Sequence, residues 1–259
     1  TNNLDEIQKE LDNLATLATP NPEIMENPVV KRLQVNQSED LLFERTGDVR
    51  KISRNEWKEM LDGYISACIE EGIEEITTWG AYVNCEYKKK SFFSGKGARI
   101  MQDMQNCWLR VNYGITVDGV TTYGGKSYSK FYKDDLVGKE AEIIQVRDRY
   151  LDFAKNAVPV EPGEYTCVLA PVTTAMFAHE SFGHKSESDH MLNDKTLREE
   201  WVMNKKVGSD LISICDRGDL INHGYTPYDD EGTKATETWL MKDGVLTGRL
   251  HDANSAVVL

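Results

Sequence analysis

Between Leu109 and Val117 every second residue is apolar: Leu109, Val111, Tyr113, Ile115 and Val117 alternate with Arg110, Asn112, Gly114 and Thr116. A period of two places the apolar set on one face of a strand and the polar set on the other. Asp118-Gly119 follows at once, a dipeptide suited to a two-residue hairpin turn, and Val120 to Tyr123 reads as the return strand. The pattern therefore predicts an antiparallel sheet with one wetted face. Ile76 to Tyr87, rich in β-forming residues, reads as a further strand. Ser94-Gly95-Lys96-Gly97 lacks the full phosphate-loop pattern and reads as a plain turn.

Helical periods flank this sheet. Leu4, Ile7, Leu11 and Leu14 form one stripe, with Asn3 and Glu6 as a capping box and Pro20 and Pro22 marking the end. A short strand is expected at residues 40–44. Ser53 and Glu56 make a second capping box. Behind it Trp57, Met60, Leu61, Tyr64, Ile65, Cys68 and Ile69 recur at helical spacing, with Gly72 as the stop. A third helix runs from about Lys139 to Asn156, with Ile143, Val146, Tyr150 and Phe153 inward.

Val158-Pro159-Val160-Glu161-Pro162-Gly163 then interrupts both periods, and reads as a linker. We place a domain boundary there. The expected fold is α+β: a helix-and-antiparallel-sheet domain over residues 1–157, then a mixed, β-rich domain over residues 158–259. In the second part Tyr165 to Ala170 reads as a buried strand, stopped by Pro171, with Thr173 or Thr174 capping the next helix. A helix at residues 197–205 closed by Gly208, a strand at residues 212–215 and turns at Asp216-Arg217-Gly218 and Asp229-Asp230-Glu231-Gly232 are expected. A hairpin across Asp243-Gly244 completes the series.

The chemistry concentrates in His179-Glu180-Ser181-Phe182-Gly183-His184. Imidazole nitrogens suit zinc, and an adjacent carboxylate can take a proton from activated water. The familiar helical version of this device spaces its histidines at i and i+4, about 40° apart around the helix. Here the spacing is i and i+5, which a regular α-helix splays by about 140°. A wider turn with i→i+5 bonding brings the rings back together, and Gly183 offers backbone freedom for that distortion.

Composition limits the rest. A net charge of −13 argues against nucleic acid as a partner, since phosphate binding needs clustered Lys and Arg. The Lys88-Lys89-Lys90 run reads as a solvated strand end. No apolar run approaches the ~20 residues that span a membrane. The five cysteines (Cys68, Cys85, Cys107, Cys167, Cys215) are odd in number and far apart, so neither a disulfide framework nor a paired-cysteine metal site is expected. A cytoplasmic setting follows as the expectation. The chain opens at Thr1 and stops within Val257-Val258-Leu259, which suggests a fragment cut short at its C-terminal end.

Residues 162–256 resemble the TldD/PmbA family of intracellular metallopeptidases, often labelled modulators of DNA gyrase. The resemblance rests on Pro162-Gly163 before a strand, His179-Glu180-x-x-Gly183-His184, and Glu187-x-Asp189. Gly208, the Asp229-Asp230-Glu231-Gly232 turn, Gly244-x-Leu246-x-Gly248 and Asp252 follow in order. It implies a zinc-dependent peptidase acting on unfolded or extended peptides, as a homodimer or paired with a homologous subunit, with the active sites inside. His179 and His184 are the implied metal ligands. A cysteine near the family's C-terminus is the implied third, and it is not among these 259 residues. Cys215 reads as a buried structural thiol in a strand. With two imidazoles alone, the zinc site of this chain is expected to be empty or poorly occupied.

Glu180 is the natural general base for metal-activated water. Glu187 and Asp189 are candidates for orienting a ligand imidazole, weighed evenly against solvated helix-end charges. His190, His223 and His251 read as ordinary surface or core histidines. Two rivals to hydrolysis remain: a non-catalytic regulatory or scaffold subunit of such a complex, disfavoured by the intact Glu180, and a gyrase-binding regulator.

Overall fold

In the computed structural model the described residues are 2–18, 22, 26, 28, 31, 38–42, 47–69, 73–95 and 97–259. Pro20, the Phe43-Glu44 end of the expected first strand, Gly72 and Lys96 lie outside them. Among the described residues seven α-helices and two sheets form a mixed α+β fold.

The alternating stretch is the centre of the larger sheet. Strand β3 (Arg99–Val117) pairs antiparallel from Arg99 to Ile115 with β2 (Ile76–Phe93), and from Cys107 onward with β4 (Val120–Lys130). Asp118 and Gly119 carry φ of 51° and 77°, the paired positive values that a two-residue hairpin with matching twist demands. Both flanking strands outrun the sequence expectation. The Lys88–Lys90 run stays in the ladder because Met104, Asp103 and Gln102 oppose it residue by residue.

One edge departs from the expected antiparallel sheet. Strand β1 (Ser38–Leu41) pairs parallel to β3 at residues 99–102. Since β4 reaches only to Cys107, the start of β3 has a free edge, and β1 fills it.

The apolar face of β3 makes the core. Leu109, Val111, Tyr113 and Ile115 are buried against Tyr64 and Cys68 of helix α2 (Arg54–Cys68) and Ile143 of helix α3 (Glu140–Asn156). The capping box of α2 forms, with the Glu56 N–H donating to Ser53 Oγ at 3.2 Å and the Ser53 N–H donating to Glu56 at 2.9 Å. Helix α1 (Leu4–Leu17) is capped by Asn3, whose side chain accepts from the Asp5 N–H. Its leucine stripe is exposed; Leu4 and Leu17 show 79% and 77% of their surface. The period was legible, but burial needs a partner.

The same reasoning corrects the expected strand at Tyr165–Ala170. These residues form no ladder, and Val168 is 98% exposed. Apolar residues make a strand only where a neighbour accepts the backbone hydrogen bonds. Pro171 does not stop an element but begins one. It is the first residue of helix α4 (Pro171–Ala178), capped by Ala170 rather than by Thr173 or Thr174. Proline's fixed φ and missing N–H suit that position.

Past the histidine motif lie helices α5 (Ser188–Asn193) and α6 (Lys195–Glu200). The helix expected over residues 197–205 is cut at Glu200 because the chain leaves it to pair elsewhere. The Asn204 N–H donates to Leu246 O at 2.9 Å, and the Leu246 N–H to Lys205 O at 3.0 Å. The small sheet orders β5 (Ile214–Arg217), β6 (Glu237–Lys242) and β7 (Val245–Leu246), before helix α7 (Ala253–Val258). The turn expected at Asp216–Gly218 is displaced, since Arg217 stays in β5 and its guanidinium holds Asp219 and Glu237 at 2.7 and 2.9 Å. The hairpin at Asp243-Gly244 forms as expected, with φ of 47° and 73°.

The acidic turn docks this second half onto the large sheet. Gln102 on β3 matches the backbone of Tyr228: its carbonyl accepts from the Tyr228 N–H at 3.1 Å and its amide donates to Tyr228 O at 3.0 Å. Lys234 reaches Glu39 on β1 at 2.9 Å, and that contact holds the Glu39 carboxyl below its usual range. No helix among the described residues is long and apolar enough to cross a membrane.

Candidate metal centre

Helix α4 runs directly into the motif, and there the backbone widens. Residues His179–Gly183 form a π-turn in which the His184 N–H donates to His179 O, an i→i+5 bond. The wider turn cancels the splay that α-geometry imposes on this spacing. The two imidazoles meet, with ring centroids 4.4 Å apart and planes at 71°. Gly183 is not what permits this. Its φ and ψ of −57° and −62° are ordinary right-handed values, and an added Cβ would meet only Ala178 O at 3.8 Å.

The turn is anchored from behind. Phe182 packs on Phe177 and Trp201 (5.9 and 6.0 Å between centroids) and joins a small core of Met191, Trp201 and Leu246. Ser186 donates to Phe182 O at 2.8 Å and accepts from the Trp201 indole at 3.2 Å. Next to it, Leu250 donates to Ser186 O at 2.8 Å and accepts from the Ser188 N–H at 2.9 Å. Those two bonds fix the backbone on both sides of Glu187 and so determine where its carboxylate stands.

That carboxylate is shared. His184 Nδ1 lies 3.0 Å from Glu187 Oε1, and His190 Nε2 lies 3.0 Å from Glu187 Oε2. A His184 that donates from Nδ1 keeps its Nε2 lone pair free, and Nε2 faces Glu180 Oε2 at 4.0 Å. Ligand atoms of His179, Glu180 and His184 all lie within 4.8 Å of one another. Zinc at ~2.1 Å from each nitrogen spans up to about 4.2 Å, so a small side-chain rotation suffices to share one ion. Imidazole nitrogens are donors that zinc accepts, and the Glu180 carboxylate stands beside them, free to act on water at the metal. The residues present therefore fit the metal.

All three side chains are exposed, so the site is an open face. Asp189 does not touch His184; with Glu187 and His190 it forms a second group of ligand atoms within 4.8 Å. His190, read from sequence as an ordinary histidine, is thus a neighbour of the site. Only its three-residue spacing from Glu187 signalled this. Cys215 lies on β5 and joins neither group; burial pushes its thiol up from the usual range. His223 meets Ser129 at 2.9 Å and His251 meets Ser188 at 3.2 Å, and neither joins the two groups of ligand atoms.

The sequence pattern of the PmbA/TldA metallopeptidase C-terminal domain matches residues 162–259. Over that region the chain is similar to the TldD/PmbA family. It is 29% identical to a "Metalloprotease" of Archaeoglobus fulgidus, over 73% of this chain and 46% of that one. It is 26% identical to the "Zinc metalloprotease TldD homolog" of Saccharolobus solfataricus, over 63% of this chain and 37% of that one. The chain thus spans less than half the length of these two relatives. Among solved structures, one from Bacteroides thetaiotaomicron bearing the gyrase-modulator label superposes with a TM-score of 0.74 at 18% identity, over 98% of this chain and 58% of that one. TldE from Thermococcus kodakarensis superposes at 0.67 and 13% identity, over 100% of this chain and 57% of that one. At such identities the superpositions speak for the TldD/PmbA fold alone.

Proposed function

We propose that this chain is the metal-binding part of a zinc-dependent peptidase that hydrolyses unfolded or extended peptides. The observation that carries the reading is the convergence of His179 and His184 at 4.4 Å across a π-turn, with Glu180 beside them. A regular helix would part these rings, and the wider turn joins them. The relatives named metalloproteases support the reaction class.

In this reading His179 and His184 hold the metal. Zinc, when bound, acts as a Lewis acid on the scissile carbonyl and brings the pKa of water toward ~7. Glu180 takes the proton from the attacking water and returns it to the leaving amine nitrogen. Glu187 keeps His184 in the tautomer that presents Nε2, and is itself steadied by His190. Asp189 extends the acidic side of that pair. The third ligand is the cysteine that the family resemblance implies beyond residue 259, which the greater length of the relatives allows.

We place the domain boundary at Ala157/Val158, where an exposed segment without helix or strand begins just ahead of the matched region at Pro162. We further propose a cytoplasmic protein that works as a dimer, with an identical or a homologous subunit. A TldE among the structural neighbours gives that second arrangement a shape to fit.

The test is metal analysis of the full-length protein together with cleavage of an unfolded protein substrate. Stoichiometric zinc and cleavage that a chelator abolishes are expected. Cleavage that survives complete chelation, or no zinc at saturating supply, would overturn the reading.

A further inference from the structure

Two of the five cysteines that look scattered in the sequence stand face to face in the sheet. Cys85 on β2 and Cys107 on β3 are directly opposite in the antiparallel register. Opposed residues share one face of the sheet, with Cα atoms about 4.5–5.5 Å apart, and both values lie inside the ~4.4–6.8 Å window a disulfide requires. Their sulfurs are 3.5 Å apart, both as free thiols. Closing to the ~2.05 Å of a disulfide needs side-chain rotation, not movement of the strands.

The two thiols differ in access. Cys107 is fully buried in the core. Cys85 is half-buried and lines a groove of about 500 Å³ between α2 and β2. Trp57, Leu61 and Val83 form apolar wall there, and Arg54 and Lys58 also border it. Hydrogen bonding with Cys107 holds the Cys85 thiol below its usual range, while that same bond and burial push Cys107 up. One cysteine is thus reachable from the groove, and the other is shielded directly behind it.

We infer that Cys85 and Cys107 form a redox-reactive dithiol, with Cys85 the attacking sulfur and Cys107 the resolving one, that a small peroxide entering the groove converts to a disulfide. Cys85 sulfur attacks one peroxide oxygen; an S–O bond forms, the O–O bond breaks, and the departing oxygen takes up a proton as water. Cys107 sulfur then attacks Cys85 sulfur; the S–S bond forms, the S–O bond breaks, and hydroxide leaves with the Cys107 proton as the second water. Two thiols lose two electrons and one hydrogen peroxide is reduced. The product joins the two strands through the middle of their pairing, and a thiol reductant reverses it.

The test oxidises the full-length, fully reduced native protein with hydrogen peroxide, blocks remaining thiols under denaturing conditions, and maps peptides by mass spectrometry. A linked Cys85–Cys107 peptide that disappears after reduction is expected. In Cys107→Ser, Cys85 should instead be trapped by a sulfenic-acid probe; in Cys85→Ser, Cys107 should stay reduced under the same exposure. Circular dichroism establishes that both variants are folded. The inference is overturned if Cys85 and Cys107 both remain alkylatable while Cys167 or Cys215 is oxidised, or if Cys107 is oxidised as fast without Cys85.

Discussion

The imidazoles of His179 and His184 stand 4.4 Å apart although five positions separate them in the chain. The π-turn between them decides whether this stretch can hold a metal at all. Since Gly183 adopts right-handed angles with room for a Cβ, the turn owes its shape to the Phe182 and Ser186 anchors. Gly183→Ala should therefore fold, keep its zinc, and gain ~0.4–1 kcal/mol from a less flexible unfolded chain. Thermal melts with parallel zinc analysis check this, and loss of the metal would show that glycine is required.

Glu187 accepts from two imidazoles at once. Glu187→Gln leaves one accepting oxygen and puts an amide donor where the other stood. Zinc affinity should fall by ~10–100-fold, the range typical of such supporting partners. Competition against a chromophoric chelator measures it, and unchanged affinity would return Glu187 to the solvated charges of a helix end.

How much of this was readable in advance varies with the distance over which each element is decided. The β3 alternation, the Asp118-Gly119 and Asp243-Gly244 turns and the Ser53–Glu56 capping box depend on near neighbours, and all were legible. The Tyr165–Ala170 segment has strand composition but no ladder, and α6 ends at Glu200 because residues 204 and 205 pair with Leu246. Neither outcome is encoded within a short window. At the site, the i, i+5 spacing already called for a wide turn. The sharing of Glu187 between His184 and His190, and the meeting of Cys85 with Cys107, depend on backbone placement that spacing alone does not give.

Gly244 has φ of 73°, and a Cβ there would lie 2.3 Å from Gly208 O and 2.6 Å from Ser209 O. Both obstacles are backbone, so neither can swing aside. Gly244→Ala should lose at least ~2 kcal/mol, of which the left-handed conformation alone accounts for ~1–2. Urea unfolding gives the number, and a loss below about 0.5 kcal/mol would mean that the hairpin relaxes around the new side chain.

Burial, aided by nearby Arg249, lowers the pKa of His251, which sits 3.2 Å from Ser188. The unfolded chain then binds a proton at this position more readily than the folded one. Stability should fall as pH drops through the ordinary histidine value of ~6.5, and this contribution should level off below the depressed folded value. Melting temperatures from pH 8 to 5 should decline less steeply in His251→Gln than in the parent protein. Equal slopes would remove His251 as a source of the acid sensitivity.

The proposed reaction rests on Glu180 as the group that moves the proton. Glu180→Gln preserves shape while removing the acceptor, and leaves His179 and His184 in place to hold the metal. The decisive measurement is peptide turnover by full-length Glu180→Gln against the unaltered protein, with zinc content matched. Turnover lowered by ~10²–10⁴-fold at equal zinc is the predicted result; turnover undiminished at equal zinc would contradict the assignment.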